Sequence, residues 1–142
     1  MNDHGGRHSD GLNRWQSGLR WLLAAIYLVA GVLHVLTPAP FLSIMPAWVP
    51  APEFTVLFTG LCEIAGAVGL IIPRTRKAAG MLLAAYAVCV FPANINHAWR
   101  DLAIEGSGMG WGYHGPRLLF QPVIVWWTLF AAGIVAWPLR SR

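Results

Sequence analysis

Charge is scarce in this chain. Only 11% of its 142 residues are Asp, Glu, Lys or Arg, against 56% hydrophobic, and six are acidic. A soluble globular domain has about a quarter of its residues charged, so this mixture excludes an ordinary water-soluble surface. Cysteine is equally sparse. Cys62 and Cys89 stand inside apolar runs at no CxxC or metal-ligand spacing, and there is no c-type haem motif. They read as small buried hydrophobes that remain thiols. Strict alternation of apolar and polar residues is missing too, which excludes a membrane β-barrel. The net charge of +4 does not make a nucleic-acid binder, because the basic residues sit in short gaps between apolar runs and form no patch.

What is present is long apolar sequence. A helix that spans a bilayer takes about 20 mostly apolar residues, and four segments qualify: 19–37, 53–72, 77–97 and 117–137. The sequence therefore predicts an all-α integral membrane four-helix bundle, one domain over residues 15–142. Eight tryptophans suit a chain with interfacial anchors. Residues 1–14, polar and glycine-containing, are expected to be a disordered cytoplasmic tail, on which His4 and His8 make only a weak metal pair. The first apolar segment is long for a signal-peptide core, contains His34 and runs into prolines, so it reads as a retained helix. Arg7, Arg14 and Arg20 lie before or at the start of it, Arg74, Arg76 and Lys77 fill the second turn, and Arg140 and Arg142 close the chain. The first connection, "PAPFLSIMPAWVPAP", has no basic residue. By the positive-inside rule both termini face the cytoplasm. That proline-rich connection is apolar enough to lie in the outer interface, as a plain loop or as a lid, and the third connection, "DLAIEGSGMGWGYHG", is rich in glycine.

Polar residues inside the apolar segments are few and expensive. A carboxylate at a helix centre costs about 2.5–3.5 kcal/mol on insertion scales, so Glu63 is the costliest residue to place. Small neighbours, Gly60, Gly66, Ala67 and Gly69, let other helices approach and bury it. Tyr27, Gly31 and His34 share a face of the first helix, and Arg117, Gln121 and Thr128 share one on the fourth. Asn94 and His97 share a face of the third, from which Asn96 points away. Counting about 1.5 Å per residue puts His34, Asn94 and Gln121 in one outer layer and Glu63 about 10 Å deeper. In "VCVFPANINHAW", Pro92 removes a backbone donor, and Pro122 does the same at similar depth on the fourth helix. Such defects survive in a membrane where protein or water satisfies them again. The segment reads as the rim of a polar pocket, or as groups that bond across helices and hold the bundle together. A carboxyl beside a histidine suits proton handling. Glu63 and His34 are thus the candidate catalytic pair, and Asn94, Gln121, Arg117, Tyr27 and Trp127 the candidate ligand-binding residues. No metal site is expected.

The stretch from "GVLHVLTPAPFLSIMPAWVPAPEFTVLFTGLCEIAGAVGLIIPRTR" through "VFPANINHA" to "RLLFQPVIVWW" resembles the DoxX family of small bacterial membrane proteins. The resemblance spans roughly Gly31 to Trp127. It rests on a His before a proline-rich loop, a Glu in a glycine-rich second helix, Pro-Ala-Asn, and an Arg and Gln opening the fourth helix. By this resemblance His34, Pro46, Pro50, Gly60, Glu63, Pro92, Asn94, Arg117 and Gln121 fall at recurring motif positions. It implies a multi-pass protein of the bacterial inner membrane and an association with quinone-linked sulfur oxidation or with thiol and oxidative-stress systems. The missing CxxC argues against autonomous disulfide exchange. Three functions remain open. One is a redox-associated subunit binding a quinone or similar molecule, working with a redox or sulfur-metabolism partner protein. Another is an assembly or scaffold subunit. The third is a small-solute carrier, which would require homo-oligomerisation.

Overall fold

The computed structural model describes residues 5–103 and 108–136, residues 5–13 by backbone alone. The described residues are helical with no strand: α1 (Gly5–Leu36), α2 (Ala39–Ser43), α3 (Pro52–Ile71), α4 (Arg76–Leu102) and α5 (Gly110–Ala131).

Prolines and one glycine set most of the boundaries. No proline lies between Gly5 and Leu36, so a helix nucleated in the apolar segment propagates upstream unopposed. Residues 5–14, expected as part of a disordered tail, are accordingly the first turns of α1, and residues 1–4 lie outside the described residues. Pro38 follows directly on the last turn of α1. The proline-rich connection holds the short α2, which the sequence did not announce. Pro52 occupies the tolerant first turn of α3, after Ala51 in the left-handed region at φ 45°. At the other end Ile72, preceding Pro73, is forced to extended backbone (ψ 119°), and α3 stops there. The Thr75 hydroxyl donates to Gly69 O at 3.0 Å and Arg76 Nε donates to Leu70 O at 3.2 Å, satisfying carbonyls left over at the end of α3.

The fourth apolar segment departs most from expectation. α5 begins at Gly110, ahead of Arg117, and ends at Ala131, short of residue 137. Gly133 takes φ 74°, its N–H bonds Phe130 O at 2.9 Å, and Ile134 N–H bonds Leu129 O at 3.0 Å. This is a Schellman stop, which only glycine adopts without strain.

α1 packs on α3 and α5, α4 packs on α3 and α5, and α2 rests on α3. The core joins Leu23, Ala24 and Tyr27 to Ala67, Leu70, Ala79, Leu83, Ala131 and Ala132. Arg20 Nε donates to Ala131 O at 2.7 Å and Trp127 Nε1 to Leu19 O at 3.1 Å, tying α1 to α5. Large apolar side chains cover the outside. Leu36, Leu82 and Leu119 are each more than 70% exposed, a surface suited to lipid and costly in water. Among the described residues three stretches are long and apolar enough to cross a membrane: Arg14–Leu36, Pro52–Ile71 and Arg76–Leu102. α5 is not among them, because its first turns carry Gly110, Gly112, His114, Gly115 and Arg117.

Glycines let α1 and α3 approach closely. A Cβ added at Gly31 would stand 2.6 Å from Gly60 O and 2.8 Å from Ile64 Cγ1, whereas one at Gly18 meets nothing within 4 Å. Gly31→Ala should therefore cost about 1–3 kcal/mol by overpacking. Gly18→Ala should stabilise by about 0.5–1 kcal/mol through helix propensity. Thermal unfolding of both variants in one detergent should show shifts of opposite sign, and shifts of the same sign would contradict this packing.

Candidate functional site

The glycine contact between α1 and α3 creates the site. Gly31 and Ile64, and His34 and Gly60, meet across it, so chain number rises along α1 as it falls along α3. His34 is level with Gly60, and Glu63 lies three residues from Gly60, toward Ile64 and the level of Gly31. A backbone count holds His34 and Glu63 about 4.5 Å apart along the axis. Side chains lean toward the N-terminus of their own helix, and in this antiparallel pair the two lean toward each other. His34 Nδ1 lies 3.0 Å from Glu63 Oε2. The larger gap expected from the sequence counted from helix ends taken as level, whereas α3 begins beyond the end of α1, and side-chain direction closes what remains.

Glu63 is buried at 5% exposure, and its two oxygens differ. Oε1 accepts from the Tyr86 hydroxyl at 3.0 Å. Oε2 is near His34, but the same Nδ1 also lies 2.9 Å from Ala30 O. One N–H faces two acceptors, and the better-directed bond goes to Ala30. Oε2 has no well-aimed donor among the described residues. Tyr27, buried, sets its ring edge-on to Tyr86 with centroids 6.5 Å apart. Phe41 of α2 stacks on the His34 ring at 3.6 Å and 22°.

A second polar group joins α4 to α5. Asn94 Nδ2 donates to Gln121 Oε1 at 3.0 Å, and Arg117 donates to Asn94 Oδ1 at 2.8 Å. Arg117 also donates to His97 Nδ1, and Gln121 Nε2 donates to Ala87 O in the turn preceding Pro92. Both amides are satisfied on both sides, so this group is closed on itself. The Arg117 guanidinium lies 5.9 Å from the Tyr113 ring centroid, within cation–π range.

Between the two groups lies a cavity of about 990 Å³, at the upper end of the range for ligand sites, with Glu63, His34 and Tyr86 on one side and Asn94, Arg117 and Gln121 on another. Its other walls are largely apolar, among them Ile26, Met45, Trp48, Phe120 and Ile124. The proline-rich connection covers part of it and is fastened to α4: Asn96 Nδ2 donates to Ile44 O at 3.1 Å and Arg100 to Ser43 O at 3.3 Å. Asn96 does point away from Asn94, as its helical position requires, and there it holds this cover.

Of the residues singled out from sequence, Glu63, His34, Tyr27, Asn94, Arg117 and Gln121 all line the cavity. Trp127 does not. Its indole is spent on Leu19 O, and its ring packs against the core. Sequence reasoning missed Tyr86, which donates a well-directed bond to Glu63, and gave Phe41 no role at His34. A tyrosine midway along the third apolar segment was the available signal, since a hydroxyl at that depth needs a partner. Cys62 and Cys89 are both free thiols, and Cys89 is a cavity wall.

Tyr86→Phe removes the donor to Oε1 and leaves a buried acceptor unsatisfied, a loss of about 1–3 kcal/mol. In a Glu63→Gln background the same change should cost less, with a coupling on the order of 1 kcal/mol. A double-mutant cycle by thermal unfolding measures it, and strict additivity would deny the contact.

No curated protein and no solved structure matches the chain. One family model does, over residues 23–132, from the first core leucine of α1 to the last core alanine beyond α5. The chain belongs to that family, a domain of unknown function designated DUF8561.

Proposed function

We propose that this chain is a bacterial inner-membrane protein that crosses the bilayer four times with both termini in the cytoplasm. In this reading its cavity binds a quinone or a similar small amphiphile at Glu63 and His34. The observation that carries the reading is Glu63 Oε2, a buried acceptor without a well-directed donor on a residue that lines the cavity. An unsatisfied buried carboxylate oxygen costs on the order of 1–3 kcal/mol, and a ligand hydroxyl offsets that cost by donating to it. The hydroxyls of a reduced quinone are such donors, and the apolar walls suit its ring and tail. On oxidation the ring loses two protons and two electrons. Glu63 and His34 are the proton acceptors within reach, and the electrons pass to a redox partner protein. The motif resemblance to DoxX proteins points the same way. The fourth crossing is assigned to α5, which packs on α1 and α4 and turns Leu119, Phe120 and Val123 outward.

The closed network of Asn94, Gln121, Arg117 and His97 favours a second role for those residues, as the join between α4 and α5 in a scaffold subunit. The two readings separate by variant. In nanodiscs, titration with a short-chain quinol should quench tryptophan fluorescence saturably. Glu63→Gln should weaken that binding at least tenfold while the protein remains folded. Asn94→Ala should lower thermal stability more than affinity per folded molecule. If Glu63→Gln binds as the parent does, the ligand reading fails and the scaffold reading stands.

Topology has its own test. With Cys62 and Cys89 replaced by Ala, a single cysteine at Ser43 should react with an impermeant thiol reagent applied to intact cells. One at Thr75 should not. Labelling at Thr75 would reverse the orientation.

A further inference from the structure

Apart from the cavity, the end of α4 and the start of α5 bring together His97, Asp101 and His114, none of which lines it. We propose that these three side chains form a binding site for one divalent transition-metal ion. His97 and Asp101 are four residues apart on α4 and so share a face, and His114 comes from α5. One donor atom from each lies within 4.8 Å of the other two. Bonds of about 2.0–2.2 Å to a shared ion hold donor atoms no more than roughly 4 Å apart. Small side-chain movements therefore close the site. Two imidazoles and one carboxylate form a donor set for zinc or a neighbouring first-row metal with positions left open, whereas magnesium and calcium take oxygen ligands.

The surroundings prepare these groups. His114 is fully buried, and its Nδ1 has no partner among the described residues. Its Nε2 lies 2.9 Å from Asp101 Oδ2, which also accepts the Met109 N–H at 2.7 Å. That backbone donor fixes the carboxylate, as groups behind a metal ligand commonly do. Gly108 keeps the space beside it open: a Cβ there would stand 2.6 Å from Asp101 O and 3.0 Å from Oδ2. One contact opposes an ion. Arg117 donates to His97 Nδ1, so an ion taking that nitrogen displaces the guanidinium, which retains its bond to Asn94. Sequence spacing gave no hint of the cluster, because His114 is separated from Asp101 by the glycine-rich connection.

The test uses the full chain, purified in detergent without a histidine tag and stripped with chelator. Titration with cobalt(II) should give visible ligand-field bands that saturate at one ion per chain, and zinc should abolish them. Asp101→Asn, which keeps an acceptor for Met109, and His97→Ala should each weaken binding at least tenfold, with unchanged circular dichroism. His114→Ala is the riskier variant for folding, so those two carry the result. A His4→Ala/His8→Ala variant should bind as the parent does. The proposal is overturned if no saturable binding appears. It is equally overturned if binding survives both Asp101→Asn and His97→Ala, or is lost with His4 and His8.

Discussion

A carboxylate held out of water between two apolar helices is the constraint on which the rest depends. Glu63 is tolerated because Gly31 and Gly60 let α1 and α3 touch, and because the antiparallel pairing tilts His34 back onto it. Tyr86 then brings in α4 as donor to one oxygen. The helix contact, the approach of His34 to Glu63 and the position of α4 are one arrangement. A side chain at Gly31 would disturb all three, because the neighbour it meets is backbone and cannot swing aside.

From that arrangement follows a division of labour among the buried polar groups. Those around Asn94 satisfy one another: the two amides, the Arg117 guanidinium and His97 form a closed set, and the Ala87 carbonyl takes the remaining Gln121 donor. Those around Glu63 do not close, since one N–H serves two acceptors. A polar network with an open position in a dry setting is where a ligand gains most from a single hydrogen bond. The cover formed by the proline-rich connection fits this reading. Its backbone carbonyls are held by Asn96 and Arg100, and its Phe41 lies flat on His34.

Much of this was legible in the sequence, and the misses share physical causes. Apolar length and the positions of proline gave the helices, with α3 placed within a residue at each end. Helical periodicity put Tyr27, His34, Glu63, Asn94, Arg117 and Gln121 toward a common interior. The depth of Glu63 relative to His34 was overestimated because the ends of α1 and α3 are not level, and both side chains also travel along the axis. α1 ran further upstream than composition suggested, since propagation continues through residues that would not start a helix. The end of α5 depended on Gly133 adopting a left-handed conformation, which competes poorly for attention with an apolar run. Trp127 looked like a cavity residue by its helix and proved to be a tie to α1. Tyr86, His114 and Asp101 acquire meaning only through partners on other helices, which no single segment encodes.

The central claim is that the open oxygen of Glu63 is completed by a small molecule. Native mass spectrometry of the chain released directly from membranes tests it without a chosen ligand. The parent protein should carry one small molecule whose mass and fragmentation identify a quinone or comparable amphiphile, and folded Glu63→Gln should be free of it. Equal occupancy of the two proteins, or an empty parent, would contradict the account.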